Sequence, residues 1–304
     1  MTLPNFLIIG AAKSGTTSLY RYLGQHPQVY ANVKEPGYFA LAGQQVQFAG
    51  PGDQDGFVRR ITTERTAYEA LFAGVTDEKA YGEASVLYLY SPEAPIRIRE
   101  TIPQAKLIAI LRNPVERAFS GYLHLRRDGR EPLADFAEAL AAEDGRIAAN
   151  WEHQWHYQQL GFYHSQLKRY FDLFPTEQIA VYTFDEFKAS PLKLMQRVFR
   201  FLEVDDSFVP DFSIRHNVSG TPKSKALNKF LIRPNRLKDA VRPFLPRSLR
   251  RFVGMRAKQM NLNAEKPQMA PETYASLVDL YREDILALQD LLNKDLSHWL
   301  KPKP

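Results

Sequence analysis

The chain has 304 residues, of which 44% are hydrophobic and 24% are charged; this is typical of a globular protein and excludes a low-complexity one. It contains no cysteine, which excludes disulfide bonds and thiolate metal sites. The net charge of +6 is concentrated between Arg215 and Lys258, where thirteen Lys or Arg residues accompany one acid, Asp239. Such a block can attract an anionic cofactor, an acidic glycan or a membrane surface, or it can be a solvated cover.

The stretch Phe6–Gly24 has the pattern of a strand that turns directly into a helix. The apolar run at residues 6–9 predicts a buried parallel strand, and the apolar positions after residue 18 recur at helical spacing. Between them lies a turn of small residues that contains Gly10, Lys13 and Gly15. A helix that begins at the end of a strand directs free backbone N–H groups and a positive dipole end at one point. The sequence therefore predicts an anion-binding loop in this stretch.

This turn differs from the nucleotide phosphate loop G-x-x-x-x-G-K-[ST]. Gly10 and Gly15 have the spacing of that motif, but Thr16 stands in the place of its lysine, and the lysine lies inside the loop at Lys13. A kinase or ATPase also usually has an acid that holds Mg²⁺, whereas the next apolar strand is followed by Arg112. We expect the loop to hold a different 5′-phosphate group, and a P-loop kinase or ATPase is the alternative.

A second segment has the same strand-to-helix pattern. The run Lys106–Leu111 predicts a central strand, and Pro114 fits the first turn of the following helix. Arg112 lies at the strand end, where open α/β sheets bind ligands, and its guanidinium can fork onto a phosphate. Glu116 and Ser120 are four residues apart and share a helix face. A salt bridge between Arg112 and Glu116 is the alternative interpretation.

Other stretches predict the remaining architecture. Gln44–Gly56 is glycine-rich and polar, which predicts a flexible surface loop. Leu133–Ala149 is alanine-rich with spaced acids, which predicts one amphipathic helix. Ile179–Thr183 predicts the last strand, and Pro271–Leu296 predicts a long amphipathic helix. No charged-then-apolar leader precedes the first strand and no apolar run is long enough to span a bilayer, so we expect a cytoplasmic protein.

The segments KSGTTSL (13–19) and LRNPVERAFSGY (111–122) resemble the two nucleotide-binding segments of sulfotransferases that use 3′-phosphoadenosine 5′-phosphosulfate (PAPS). The resemblance extends loosely over residues 6–225. It implies a P-loop-like α/β fold, a three-layer sandwich with a central parallel sheet flanked by helices, plus a helical C-terminal cover. We expect a single domain over residues 1–304, with a basic helical insertion at about 226–260 and a C-terminal helix at about 271–296.

The resemblance also implies roles for individual residues. In that family the first segment holds the 5′-phosphosulfate, and an arginine and a serine of the second hold the 3′-phosphate. Carried over by position, these roles fall on Lys13, Ser14, Gly15, Thr16, Thr17 and Ser18 in the first segment and on Arg112 and Ser120 in the second.

The resemblance places the base at Glu35. In the glycan-modifying branch of the family a glutamate shortly before an aromatic pair acts as the base, and Glu35 precedes Tyr38 and Phe39. A carboxylate can take the proton of a hydroxyl as the bond to sulfur forms. A solvated glutamate paired with Lys34 is the alternative.

A second carboxylate is Glu83. Glycan-modifying relatives often have a lysine directly after the glutamate at this point, whereas this chain has Ala84. That departure counts against a heparan-type acceptor. It leaves Glu83 as a candidate for acceptor binding or as an alternative base.

Three more positions complete the implied site. Tyr163 stands where relatives contact the 3′-phosphate side of the nucleotide, with core packing as the alternative. Lys223 and Lys225 lie in a polar, basic loop that the resemblance implies closes over the nucleotide. The segment Trp151–Tyr157 is dense in aromatics and histidines and is predicted to line an acceptor pocket or to belong to the core, without a metal. If Glu35 is not the base, the histidine candidates are His153, His156 and His164.

The resulting hypothesis is sulfuryl transfer from PAPS to a hydroxyl acceptor, either a glycan or another small-molecule alcohol. A sulfate carries one negative charge against two on a phosphate, so we expect no metal. Lys13 and the N–H groups of residues 15–17 would stabilise the departing 5′-phosphate. We expect no nucleic-acid partner, but contact with an anionic glycan or membrane through Arg215–Lys258. A basic nucleic-acid or membrane module and a nucleotide-binding protein without catalysis are rival hypotheses, and the acceptor and oligomeric state stay open.

Overall fold

A parallel sheet forms the centre of the computed structural model, which describes residues 2–213 and 267–301. Its five strands in the described chain are β1 Phe6–Gly10, β2 Val29–Lys34, β3 Ala80–Ala84, β4 Lys106–Leu111 and β5 Ile179–Thr183. They lie in the order β2-β3-β1-β4-β5, and every neighbouring pair is parallel. Because β2 and β3 lie on one side of β1 and β4 and β5 on the other, the strand order reverses at β1. Open α/β sheets bind ligands outside the carboxyl ends of the strands at such a point.

Helices connect these strands. The α-helices of the described residues are α1 Thr16–Leu23, α2 Tyr38–Leu41, α3 Asp53–Gly56, α4 Arg65–Ala70, α5 Leu87–Tyr90, α6 Ala94–Thr101, α7 Pro114–Arg127, α8 Phe136–Ala141, α9 Glu143–Ala148, α10 Tyr163–Phe171, α11 Phe184–Ala189, α12 Pro191–Phe201 and α13 Pro271–Leu292. Short 3-10 helices lie at Val58–Arg60, His153–Trp155, Gln159–Gly161, Thr176–Gln178 and Ser297–Leu300.

The core has two halves, one on each face of the sheet. Along β1, Phe6 and Ile8 belong to the cluster that contains the apolar sides of α1 and α12. Leu7 and Ile9 belong to the cluster that contains apolar residues of α5, α6, α7, α10 and α13. All five residues of β1 are buried, as expected for a strand covered on both faces. The predicted three-layer α/β sandwich with a central parallel sheet is therefore confirmed, and α13 packs into its core.

Two predictions of local structure were wrong. The predicted single helix Leu133–Ala149 is divided into α8 and α9. The side chain of Asp135 accepts the N–H of Glu138 and so begins α8 after residue 135. Glu143 is buried at the start of α9 and accepts the backbone N–H groups of Gln158 and Gln159, which fixes the chain at the break.

The second error is the predicted flexible loop Gln44–Gly56. Its last residues form α3, and Asp53 is fully buried. The carboxylate of Asp53 accepts hydrogen bonds from the N–H of Gly50 (2.9 Å), from the indole of Trp155 (2.9 Å) and from Arg130. A polar segment is held in the interior because its carboxylate finds partners that lie far away in sequence.

β4 and β5 have the predicted bounds, whereas the predicted helix Pro271–Leu296 ends earlier than expected. α13 ends at Leu292 because Asn293 takes the left-handed conformation (φ 46°) that terminates helices. Within the described part of the chain, no helix combines the length and the apolar character that crossing a bilayer requires. The basic segment Arg215–Lys258 and the predicted insertion at 226–260 lie outside the described residues, and the extent of the domain stays a prediction.

Candidate active site

A cavity of about 430 Å³ lies across the carboxyl ends of the strands. Residues at or just after the ends of all five strands line it: Ala12 and Lys13, Lys34 and Glu35, Val86, Arg112, and Phe184. This position is the crevice at which the strand order reverses. The fold alone therefore brings the loop after β1 and the start of α7 into one site.

The loop between β1 and α1 forms one wall of the cavity. Lys13, Gly15, Thr16, Thr17 and Ser18 all line it. Gly15 has φ 98°, and a Cβ there would lie 3.0 Å from the ring of Phe184, so both conformation and space require glycine. No side chain caps α1, and the first-turn N–H groups of a helix have no intrahelical acceptor. These features are suited to an anion at the N-terminus of α1, as helix N-termini in general are.

Lys13 is the charged side chain of this loop. It has φ 66°, a conformation that a residue other than glycine adopts only when its surroundings impose it. Burial, with Arg127 next in effect, lowers the pKa of Lys13 to about 8. A bound anion would reverse this shift, because an opposite charge favours the protonated form.

The start of α7 also lines the cavity. Arg112 and Ser120 both line the cavity. Arg112 also forms the ion pair with Glu116 that was the alternative interpretation of the sequence. Arg112 donates to Oε2 of Glu116 at 2.7 Å through Nη2 and at 3.2 Å through Nε, and its guanidinium lies 5.2 Å from the ring of Phe184. Glu116 thus holds the guanidinium at the cavity wall.

Arg117 is a cavity residue that sequence reasoning missed. It is 1% exposed; Nη2 donates to the carbonyl of Tyr157, and Nε has no hydrogen-bond partner among the described residues. The sequence feature that could have identified it is its position three residues before Ser120, which places both side chains on the same helix face. A buried cation is costly unless a counter-charge accompanies it, so Arg117 favours an anion in the cavity.

The cavity is strongly cationic. Its lining includes five cationic residues: Lys13, Lys34, Arg60, Arg112 and Arg117. Among the described residues that line it, Glu35 is the one that carries a carboxylate. Low-dielectric walls that carry one sign of charge concentrate ligands of the opposite sign. The cavity therefore suits a ligand with several negative charges.

Glu35 lies at the edge of this cationic cavity, just after β2. It has φ 60°, and its backbone N–H donates to the carbonyl of Ala84 at 2.7 Å. One carboxylate oxygen pairs with Lys34, as the alternative interpretation predicted, and the other accepts the N–H of Val86 at 3.1 Å. These contacts hold the carboxylate at the cavity wall, where it can accept a proton from a bound group.

Three candidates from the sequence do not line the cavity. Glu83 is fully buried, accepts hydrogen bonds from Ser85 (2.9 Å) and Tyr68 (3.3 Å), and has its pKa raised to about 8 by burial. Ser14 and Tyr163 are also fully buried, with hydroxyl groups that have no partner among the described residues. The proposed contacts of Ser14 and Tyr163 with the nucleotide stay predictions. Lys223 and Lys225 lie outside the described residues.

Some of the histidines line the cavity and others do not. His153 and His124 line the cavity, and burial lowers the pKa of His153 to about 4 and that of His124 to about 3. His156 and His164 do not line it. In the aromatic segment Trp151–Tyr157, Trp155 and Tyr157 are fully buried in the core, whereas His153 lines the cavity. The role of this segment in an acceptor pocket stays a prediction.

Comparisons with known proteins agree with this geometry. A sequence model of the sulfotransferase family matches residues 4–208. The human bifunctional heparan sulfate N-deacetylase/N-sulfotransferase 3 is 32% identical over 205 residues, which make up 66% of this chain and 22% of the human protein. The Drosophila melanogaster bifunctional heparan sulfate N-deacetylase/N-sulfotransferase is 25% identical over 226 residues, 71% of this chain and 21% of that protein. The chain thus spans about a fifth of the length of these relatives.

A solved structure resembles the whole chain. The crystal structure of a sulfotransferase from Alicyclobacillus acidocaldarius is 35% identical and covers 99% of this chain and 100% of its own, with a TM-score of 0.78.

Proposed function

The chain belongs to the sulfotransferase family, and from that premise we propose that it transfers a sulfuryl group from PAPS to a hydroxyl group of an acceptor. Membership of this family does not favour the kinase or ATPase alternative. The finer assignment of donor, acceptor and residue roles depends on the chemistry of the cavity.

The main support for the proposal is a single cavity that is lined by cationic groups from two segments, the loop before α1 and the start of α7. PAPS carries negative charge at both ends, on the 5′-phosphosulfate and on the 3′-phosphate. The N-terminus of α1 and Lys13 suit the first group, and Arg112 with Ser120 suits the second. Arg117 adds a buried positive charge beside them. A cavity of about 430 Å³ is within the usual range for sites that bind small molecules.

In the proposed reaction, the acceptor oxygen forms a bond to sulfur while the bond between sulfur and the bridging 5′-phosphate oxygen breaks. Glu35 takes the proton of the acceptor hydroxyl. Lys13 and the first N–H groups of α1 stabilise the negative charge that the departing adenosine 3′,5′-bisphosphate gains. Positioning and electrostatics therefore supply the catalysis, and no covalent intermediate on the protein is needed.

The names of the relatives favour a second acceptor class. They describe N-sulfation of a glycan, in which the attacking atom is an amine nitrogen. Glu35 could accept a proton from an amine as well as from a hydroxyl, so the same residues would serve both reactions. An amino-sugar acceptor is therefore the second candidate.

The test of the proposal is transfer of sulfur-35 from labelled PAPS to three acceptors: 4-nitrophenol, octyl glucoside and de-N-sulfated heparin. We expect labelled product and an equal amount of adenosine 3′,5′-bisphosphate with at least one acceptor, at the same rate in EDTA. Label that stays on the donor with all three acceptors, under conditions in which the protein binds the nucleotide, would contradict the proposal.

Arg112→Ala should remove selectivity for the 3′-phosphate. Hydrogen bonds between charged groups contribute about 1.5–3 kcal/mol, so we expect affinity for adenosine 3′,5′-bisphosphate to fall roughly 30-fold while affinity for ADP changes little. Calorimetric titration with both nucleotides measures this difference. Arg126→Ala, on the same helix but bound to carbonyls outside this cavity, is the control. An equal loss of affinity for both nucleotides would refute the role of Arg112.

A further inference from the structure

His153 has different environments at its two ring nitrogens. Nδ1 lies 3.1 Å from Oε2 of Glu152, but outside the angular range of a hydrogen bond. Nε2 has no hydrogen-bond partner among the described residues. The side chain is 5% exposed and lines the same cavity as Glu35, and the centroid of its ring lies 4.8 Å from that of Phe57 in an edge-to-face arrangement. One side of the imidazole therefore faces a buried carboxylate, and the side chain borders the substrate cavity.

A buried network fixes that carboxylate. Oε1 of Glu152 accepts a hydrogen bond from Arg130 at 3.0 Å, and the backbone N–H of Glu152 donates to Asp53 at 3.0 Å. Arg130 also pairs with Asp53, which is held by the indole of Trp155. Asp53 and Glu152 are both fully buried. The network thus holds the backbone and side chain of Glu152 directly beside His153.

The neighbouring His156 shows what a structural histidine looks like here. Its Nδ1 lies 2.9 Å from the hydroxyl of Tyr90 and its Nε2 lies 3.2 Å from the carbonyl of Trp151, so both nitrogens have partners. His153 is equally buried but has neither nitrogen satisfied by a hydrogen bond. A buried polar atom without a partner destabilises the fold, so stability does not account for an imidazole at position 153.

These observations, together with the proposed function on which the inference rests, point to a catalytic role. We propose that His153 binds the attacking group of the acceptor and orients it toward the sulfur beside Glu35. Glu152, held by Arg130 and Asp53, is the positioning residue, since it places a carboxylate beside Nδ1 of the ring. At neutral pH the imidazole is uncharged, because burial lowers its pKa to about 4, so it can accept a hydrogen bond from a hydroxyl or amine.

The test compares His153→Phe with His156→Phe. Phenylalanine keeps an aromatic ring against Phe57 and removes both nitrogens. For His153→Phe we expect kcat/KM for the acceptor to fall about 100-fold, as for a misplaced reactant, with unchanged affinity for adenosine 3′,5′-bisphosphate and an equal or higher Tm. For His156→Phe we expect a lower Tm and kcat/KM within threefold of the wild type. His153→Gln, which retains a polar group, should recover part of the lost activity.

The acceptor that gives the highest wild-type rate among the three named above is used for both variants. Near-wild-type kcat/KM in His153→Phe would overturn the inference and leave the proposed function intact. A parallel loss of Tm and nucleotide affinity in this variant would also overturn it, since the role would then be structural. Absence of transfer by the wild-type protein would overturn the proposed function, and the role of His153 with it.

Discussion

Glu35→Gln is expected to lower the rate of sulfuryl transfer by about 10³-fold, within the range of general acid–base catalysis. The amide has nearly the same shape as the carboxylate and can still accept the N–H of Val86, but it cannot take the proton of the acceptor. Nucleotide affinity should stay within about threefold of the wild type, because Glu35 lies at the acceptor side of the proposed reaction. Single-turnover transfer of sulfur-35 measures the rate, and calorimetry measures the affinity.

Glu83→Gln is the matched control for this variant. Glu83 is buried behind the cavity, and its raised pKa of about 8 keeps the carboxyl protonated at neutral pH. Replacement by an amide therefore leaves the charge unchanged, and we expect transfer within a few-fold of the wild-type rate. If Glu35→Gln were active and Glu83→Gln inactive, the base would have to be reassigned to Glu83.

Lys13→Met is expected to lower kcat by about 10²–10³-fold, as does the loss of one preorganised donor to a developing anion. Lys13 lies in the loop before α1, where the charge on the leaving 5′-phosphate would develop. Lys168→Met, which removes an exposed lysine paired with Asp172 away from the cavity, should have no effect. A Lys13→Met enzyme with a wild-type kcat would contradict this assignment.

The lowered pKa of Lys13 predicts that nucleotide affinity falls as pH rises. In the free protein the pKa of Lys13 is lowered to about 8, so the side chain is mostly charged at pH 7 and loses its proton as pH rises through 8. A bound phosphate favours the charged form and raises the pKa. Between about pH 7 and 9, nucleotide affinity should therefore fall as pH rises through 8, with proton uptake on binding. Lys13→Met should remove this slope between pH 7 and 9.

The elements that carry the cavity could be predicted because their signals are local. The apolar runs Lys106–Leu111 and Ile179–Thr183 became β4 and β5 with the predicted bounds. The small-residue turn before Thr16 became the loop that leads into α1 and lines the cavity, since a strand followed directly by a helix leaves little conformational choice. Parallel pairing then places the ends of β1 and β4 side by side.

The part of the cavity around His153 could not be predicted, because it depends on contacts between distant parts of the chain. Phe57 and His153 meet in the folded protein although they are far apart in sequence, and the burial of Asp53 depends on Arg130 and Trp155. No local sequence pattern predicts such long-range contacts. The buried position of Arg117 was missed for a different reason, because arginine on a helix is usually exposed and only its spacing from Ser120 distinguished it.

The central claim is that the cavity binds an adenosine nucleotide by phosphates at both the 3′ and the 5′ position. Calorimetric titration of the wild-type protein with adenosine 3′,5′-bisphosphate and with ADP tests it most directly, since the two ligands have the same number of phosphates in different places. We expect at least about 30-fold tighter binding of the 3′,5′-bisphosphate, from charge-assisted hydrogen bonds to the 3′-phosphate. Equal affinity for the two nucleotides would contradict it.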